Sequence, residues 1–285
     1  MRAFPYSKLR QIDSKQRFHE TLFTYALDRY AHLVGPEWGT VLAVCANHRD
    51  ALFLKRFPFR EIVISGFGDR RRDVKKATDG DPRISYQEEN AEALTFPSRS
   101  FDVVVCKEGL HHLPRPVSGL YEMLRCCRQA AVMIEPYESA LERLLEKTGI
   151  ATCYERQGRG RRAGSRAAKA GHAAEARFAV NKTKVVNPFE RDNYVFRWTP
   201  RQLETILNSY YLDSDYRVDM TVGWLSKRMF VGSPEHIREV VALSASALGW
   251  IPGLRGNLLT AVILPGADVP PDKAAMTEAF LSSSV

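Results

Sequence analysis

Apolar positions along the chain fall into two rhythms. Short, β-branched-rich runs at Val41–Cys45, Glu61–Ser65, Asp102–Cys106 and Ala130–Ile134, with a weaker one at Arg83–Gln87, read as strands. A helical spacing governs Ser14–Leu33, where Phe18, Leu22, Phe23, Tyr25, Ala26, Tyr30 and Leu33 recur until Gly35-Pro36 stops them. The same spacing puts Leu120, Met123 and Leu124 of Val117–Cys127 on one face. Strand and helix in alternation predict βαβ units: an α/β, Rossmann-like fold with a mostly parallel sheet and helices on both faces. Ligands of such sheets lie at the carboxyl ends of the strands.

Beyond Pro136 the pattern predicts a helix over Tyr137–Lys147 and another over Pro200–Leu207, with Thr199 as N-cap and Pro200 in the first turn. Strands at Met220–Leu225 and Leu258–Leu264, and a helix at Pro234–Leu248, complete the sheet. The expected division is an N-terminal helical cap at 1–36 and one larger domain at 37–285, interrupted by a basic insertion at about 151–192.

With 285 residues, 45% hydrophobic and 26% charged, the chain has the make-up of a globular protein, not of a collagenous, disordered or disulfide-stapled one. Its 41 Lys+Arg against 33 Asp+Glu give +8. Resolved along the chain, the surplus sits in Arg156–Lys184, where nine basic residues face one acid, Glu175. Three readings of that stretch follow, in order of preference: a lid over an anionic acceptor, a solvated loop, and a phosphate-contacting nucleic-acid arm. It has no interleaved aromatic pattern for base stacking, which ranks nucleic acid last. The longest apolar run, Leu258–Leu264 apart from Thr260, is far below the roughly 18 residues of a membrane span, and Met1–Gln16 has no apolar signal core, so the expected location is cytoplasmic. Five cysteines without a C-x-x-C pair point to neither a disulfide framework nor a metal site. Assembly, up to a homodimer, stays open.

The chemistry concentrates in Asn90–Pro136, which reads N-A-E-A-L-T-F-P-S-R-S-F-D-V-V-V-C-K-E-G-L-H-H-L, then P-V-S-G-L-Y-E-M-L-R, then A-V-M-I-E-P. This window resembles the class I S-adenosylmethionine-dependent methyltransferases, in the small-molecule branch called methyltransferase type 11. The resemblance implies S-adenosylmethionine as cofactor and an adenine contact at Asn90 and Ala91. It aligns Ala43 with the acid ending the first strand, Cys45, Asn47 and Arg49 with the three glycines of the cofactor loop, and Ser65-Gly66 with the ribose-binding end of the second strand. Ala43, Cys45, Asn47, Arg49, Ser65 and Asn90 each depart from the family's residue type, and Gly66 suits either close ligand approach or, preferably, a turn. Arg49 or His48 is a candidate partner for the methionyl carboxylate in place of glycine-rich backbone.

At the end of the strand begun by Phe101-Asp102, Lys107 is placed toward the cofactor and Glu108 toward a substrate. His111 or His112 is the candidate base, since an imidazole titrates near neutrality and can take a hydroxyl proton. Either histidine equally suits a turn contact or solvent. Tyr137 and Trp198 are candidate walls of the acceptor site, with core packing the stronger expectation for Trp198. The function expected is methyl transfer to a hydroxyl, less so an amine, of a small polar or anionic acceptor such as a sugar or natural-product intermediate. A catalytically silent relative and an RNA methyltransferase are the alternatives.

Overall fold

The computed structural model describes residues 2–3, 15–34, 38–148, 154–155, 193–212, 215–223 and 256–266, together with 236, 240, 244 and 247. Strand β1 is Arg2–Ala3, followed by α1 (Lys15–Val34), β2 (Thr40–Val44), α2 (His48–Leu54), β3 (Glu61–Gly66), α3 (Arg71–Ala77), β4 (Ile84–Glu88) and β5 (Phe101–Lys107). A 3-10 turn at Leu110–His112 leads to α4 (Pro116–Cys126) and β6 (Cys127–Pro136). Then come α5 (Ala140–Lys147), β7 (Tyr154–Glu155), β8 (Asn193–Tyr194), α6 (Pro200–Tyr211), β9 (Tyr216–Gly223) and β10 (Leu258–Pro265).

The principal sheet has the order β1-β9-β10-β6-β5-β2-β3-β4. Pairs from β6 to β4 are parallel, whereas β10 runs antiparallel to both β6 and β9. From β2 the chain steps outward through β3 to β4, then crosses back to β5 and steps the other way. The reversal puts a crevice between the carboxyl ends of β2 and β5.

Each central strand is apolar throughout because both faces are covered: β2 is buried at all five positions and β5 at its first six. On one face lie α1, α2 and the aromatic group Trp38, Phe53, Phe57 and Phe59; on the other α4 and α6 pack through Leu120, Met123, Leu203 and Leu207. Leu22, Ala26, Leu27 and Tyr30 of α1 are fully buried, and Arg29 pairs with Asp219 of β9 at 2.7 Å, so the helix of segment 1–36 shares the core of the sheet. Two-residue β1 extends that sheet beside β9.

Local chemistry explains where elements start. Asn47 caps α2 through a reciprocal box with Asp50, and Thr199 caps α6 through one with Gln202. Helix α2 starts inside the segment aligned with the cofactor loop, as His48–Leu54 closes into a helix once Asn47 satisfies its first amides. Of the Pro234–Leu248 helix, only His236, Val240, Ser244 and Ala247 are described, and all four are helical and exposed. Most of the 151–192 insertion, including all of Arg156–Lys184, lies outside the described residues. Among those described, no helix is long and apolar enough to cross a membrane.

Candidate active site

At the floor of the crevice, β2 and β5 end on residues with left-handed backbone: Cys45 at φ 55° and Glu108 at φ 48°. Non-glycine side chains are strained in that region, and such residues persist only where surrounding structure holds them. Cys45 therefore keeps the conformation that suits a glycine without being one. The chain passes so close at Gly109 that a Cβ there would lie 2.5 Å from the Cys45 Cβ and 2.9 Å from the Cys106 Sγ. The hydrogen bond to Cys45, and after it burial, push the Cys106 thiol well above its usual pKa.

Glu135, the penultimate residue of β6, is completely buried. Its Oε1 accepts the backbone N–H groups of Gly109 at 2.9 Å and Leu110 at 2.8 Å, and its Oε2 accepts that of His111 at 3.3 Å. The same Oε2 meets His111 Nδ1 at 2.7 Å. A carboxyl group is tolerable in such a place only where donors like these replace its water. His111 itself is 3% exposed, with its ring centroid 4.1 Å from that of exposed His112. In the sequence Glu135 appears only as the acid of A-V-M-I-E-P, with no role attached. The available signal was a carboxylate closing the otherwise apolar run A-A-V-M-I, which demands buried donors nearby.

Between the strand ends lies a void too narrow for a water-sized molecule, lined by Phe23, Ala43, Val44, Cys45, Ala46, Asp50, Val105 and Lys107. Lys107 reaches it with a side chain 11% exposed and pairs with Glu108 at 2.7 Å. Phe23 and Asp50 were not among the residues singled out in the sequence; Phe23 arrives from α1, far away along the chain.

The other positions are placed as follows. Ala43 is in the core, and Ser65, 1% exposed, donates its hydroxyl to the Ala43 carbonyl at 3.1 Å. Gly66 is buried, and a Cβ on it would lie 2.7 Å from the Ala46 carbonyl oxygen, so it serves close packing of β3 on the loop. Asn47 Oδ1 accepts from Arg49 N at 2.9 Å, and the Arg49 side chain is exposed. Asn90 Oδ1 accepts from Glu92 N at 3.0 Å, closing a turn, with Ala91 buried behind it. The Glu92 side chain is 6% exposed and pairs with Arg115 at 2.9 Å. Tyr137 is buried, and Trp198 pairs beside it through Trp198 N to the Pro136 carbonyl at 2.8 Å. Trp198 is fully buried, which fits core packing and leaves no face for a substrate.

A larger cleft, about 550 Å³, lies away from this crevice and shares none of its lining; Glu92, Leu94, Phe96, Tyr121, Glu122, Arg125 and Tyr210 form its walls. Arg125 there is committed to Glu122 and to the carbonyls of Leu94 and Phe96, so the cleft's polar groups serve the fold.

Residues 52–134 match the family model described as a methyltransferase domain. That segment resembles the class I S-adenosylmethionine-dependent methyltransferases. S-adenosylmethionine is the cofactor of that family. Among solved structures, the chain is similar to a putative methyltransferase from Haloferax volcanii in complex with the Trm112 methyltransferase activator, with 12% identity over 93% of this chain and 100% of that one and a TM-score of 0.51. It is likewise similar to the plantazolicin methyltransferase BpumL in complex with SAH, at 11% identity, 88% and 86% coverage and a TM-score of 0.50. Magnesium protoporphyrin IX methyltransferase from Synechocystis PCC 6803, with bound SAH, gives 8% identity, 92% and 93% coverage and a TM-score of 0.50. At these identities the likeness bears on the fold. No curated protein sequence matches the chain.

The residues fit this cofactor unevenly. Around the void, cationic Lys107 and anionic Asp50 complement the carboxylate and ammonium of an amino-acid end, and the Cys45 turn keeps a glycine-like path. At the ribose end the match fails, because Ser65 offers no acid and its hydroxyl is turned inward to Ala43.

Proposed function

We propose that the protein transfers a methyl group from S-adenosylmethionine to a hydroxyl, less so an amine, of a small polar or anionic acceptor. The observation that carries this reading is His111, an imidazole fixed against Glu135 at the carboxyl end of the strand bordering the crevice. When bound, S-adenosylmethionine supplies an electrophilic methyl group. Lys107 and Asp50 would hold its amino-acid end, with Phe23 beside them shielding it from water. His111 takes the proton from the acceptor hydroxyl, a contribution typically of about 10²–10⁴-fold in rate. Alignment of the reacting atoms contributes at least as much, so the base aids a reaction driven mainly by geometry.

Methyl-labelled S-adenosylmethionine offered with a panel of hydroxylated and aminated small molecules tests this directly. Label should enter a hydroxyl compound with wild type and not with His111→Gln. Label entering only amines would overturn the hydroxyl assignment.

A second reading, a relative that binds without turnover, is favoured by the inward-turned Ser65 and the small void. The two part on ligand-induced stabilisation, because a ligand that binds the native state must raise its stability.

A further inference from the structure

Two thiols that methyl transfer does not use sit at the floor of the crevice. Cys45 follows directly on β2, and Cys106 is the penultimate residue of β5, where it pairs with Val44 of β2. One strand spacing across and one residue along put their Cα atoms about 6 Å apart, inside the span of about 4.4–6.8 Å that a disulfide bridges. Side chains alternate faces along a strand, so a continued β2 would turn Cys45 away from Cys106, which shares its face with Val44. The left-handed backbone at Cys45 prevents this, and its side chain packs on the same cluster as Cys106. Around the place that a Cβ on Gly109 would take, Cys106 Sγ lies at 2.9 Å and Cys45 Sγ at 3.5 Å. The two thiols are hydrogen-bonded to each other.

We infer that Cys45 and Cys106 form an oxidation site: a hydroperoxide converts the pair to a disulfide, and a small thiol reduces it again. Cys45 is the half-buried member and Cys106 the buried one. In the first step the Cys45 thiolate attacks one oxygen of hydrogen peroxide, the O–O bond breaks, and Cys45 becomes a sulfenic acid as water leaves. In the second the Cys106 sulfur attacks the Cys45 sulfur. The S–O bond breaks, the S–S bond forms, and the departing hydroxide takes the Cys106 proton as a second water. Two thiols thereby give up two electrons, and one peroxide is reduced to two waters. This order suits the surroundings, since the hydrogen bond to Cys45 and burial keep the Cys106 proton in place until Cys45 has reacted. The other described cysteines, Cys126 and Cys127, are buried against the carbonyls of Phe96 and Leu124.

Cys45 lines the void beside Lys107, and Cys106 precedes Lys107 in β5. Bond formation draws the two sulfurs from hydrogen-bond distance to about 2 Å, which moves the Cys45 wall of that void and ties the ends of β2 and β5 together. The oxidised protein therefore holds the amino-acid end of the cofactor less well. That consequence rests on the proposed function; the bond itself rests on the fold alone.

Peptide masses test the bond, on the reduced full chain treated with hydrogen peroxide, quenched with iodoacetamide and digested without reductant. Expected is a linked pair of the peptides carrying Cys45 and Cys106, two hydrogens lighter than the separate thiols, which dithiothreitol splits. Cys45 oxidised without this link, joined to another cysteine, or no more reactive than Cys127 overturns the inference. A link that forms as fast in denaturant overturns it too, because the fold would then not be what pairs the thiols. Cys45→Ser should leave Cys106 a free thiol under the same treatment; should that variant fail to fold, the wild-type map decides alone. Calorimetry with S-adenosylhomocysteine keeps the claims apart. Binding weakened about tenfold by oxidation and restored by dithiothreitol is expected. Equal binding before and after oxidation overturns the effect on the crevice, and no binding by the reduced protein overturns the proposed function while the peptide map still decides the disulfide.

Discussion

His111 Nδ1 lies 2.7 Å from Glu135 Oε2 in a setting where both side chains are almost wholly out of water. The pair joins β6 to the turn that leaves β5, so the candidate base is held by the same carboxylate that shapes its loop. Removing the carboxylate exposes the amides of Gly109, Leu110 and His111 as unsatisfied donors. Glu135→Ala should therefore cost about 3–5 kcal/mol, as deletion of one partner of a buried charged network does, measured by denaturant unfolding. A cost below about 1 kcal/mol would mean that the carboxylate does not organise the turn.

Close approach at Gly109 gives a second expectation. A methyl group there meets the Cys45 Cβ and the Cys106 Sγ, so Gly109→Ala should destabilise by about 1–3 kcal/mol, the usual cost of overpacking. Cys45→Gly removes one of the two obstacles and the strain of a left-handed cysteine. The double variant should recover part of the loss, and a double-mutant cycle measures the coupling. Strict additivity would show that the two positions do not touch.

Asp102 ties the start of β5 to β2 and β6. Its Oδ2 accepts from Thr40 N at 2.7 Å and Thr40 Oγ1 at 3.2 Å, and Arg128 pairs with its other oxygen. Burial pushes its carboxyl up, but the Thr40 amide and Arg128 outweigh that and hold it below the usual range. The folded pKa is thus depressed, so the stabilisation is present above the unfolded value of about 3.9 and is lost as pH falls through the lower folded value. Asp102→Asn should lower stability by about 1–3 kcal/mol at neutral pH and show a shallower acid loss than wild type. Parallel acid profiles for the two proteins would contradict this.

Glu142 of α5 behaves in the opposite sense. Burial raises its carboxyl to about 7, against the pull of Arg197 and with Glu146 and Glu138 adding to the rise. The native state keeps this proton after the unfolded chain has lost its own near pH 4.3, so the group costs stability progressively between there and about 7. Glu142→Gln should gain stability at pH 8 relative to wild type and show no gain near pH 4. Melting curves at the two pH values check it; an equal difference at both would place the effect outside ionisation.

Much of this fold was legible in the sequence because burial on both sides of a parallel sheet leaves unbroken apolar runs such as Val103–Val105. The predicted strands at Glu61–Ser65 and Leu258–Leu264 fall within one residue of β3 and β10. Helix α2 was missed because its seven residues mix charge and apolar groups too briefly to show a period, and only the Asn47–Asp50 box announces it. The site was legible as far as its strand ends. His111 was visible as a histidine after β5, but its partner lies 24 residues further on and is joined to it only by the pairing of β5 with β6. Phe23 and Asp50 belong to neighbouring elements that the topology, rather than any motif, brings to the void.

Isothermal calorimetry of S-adenosylhomocysteine on the purified full chain tests the account most directly. Saturable one-site binding is expected in wild type, weakened about tenfold, or about 1.4 kcal/mol, by Lys107→Met, and unchanged by His111→Gln. Absence of binding heat together with an unshifted melting temperature at saturating ligand would contradict it.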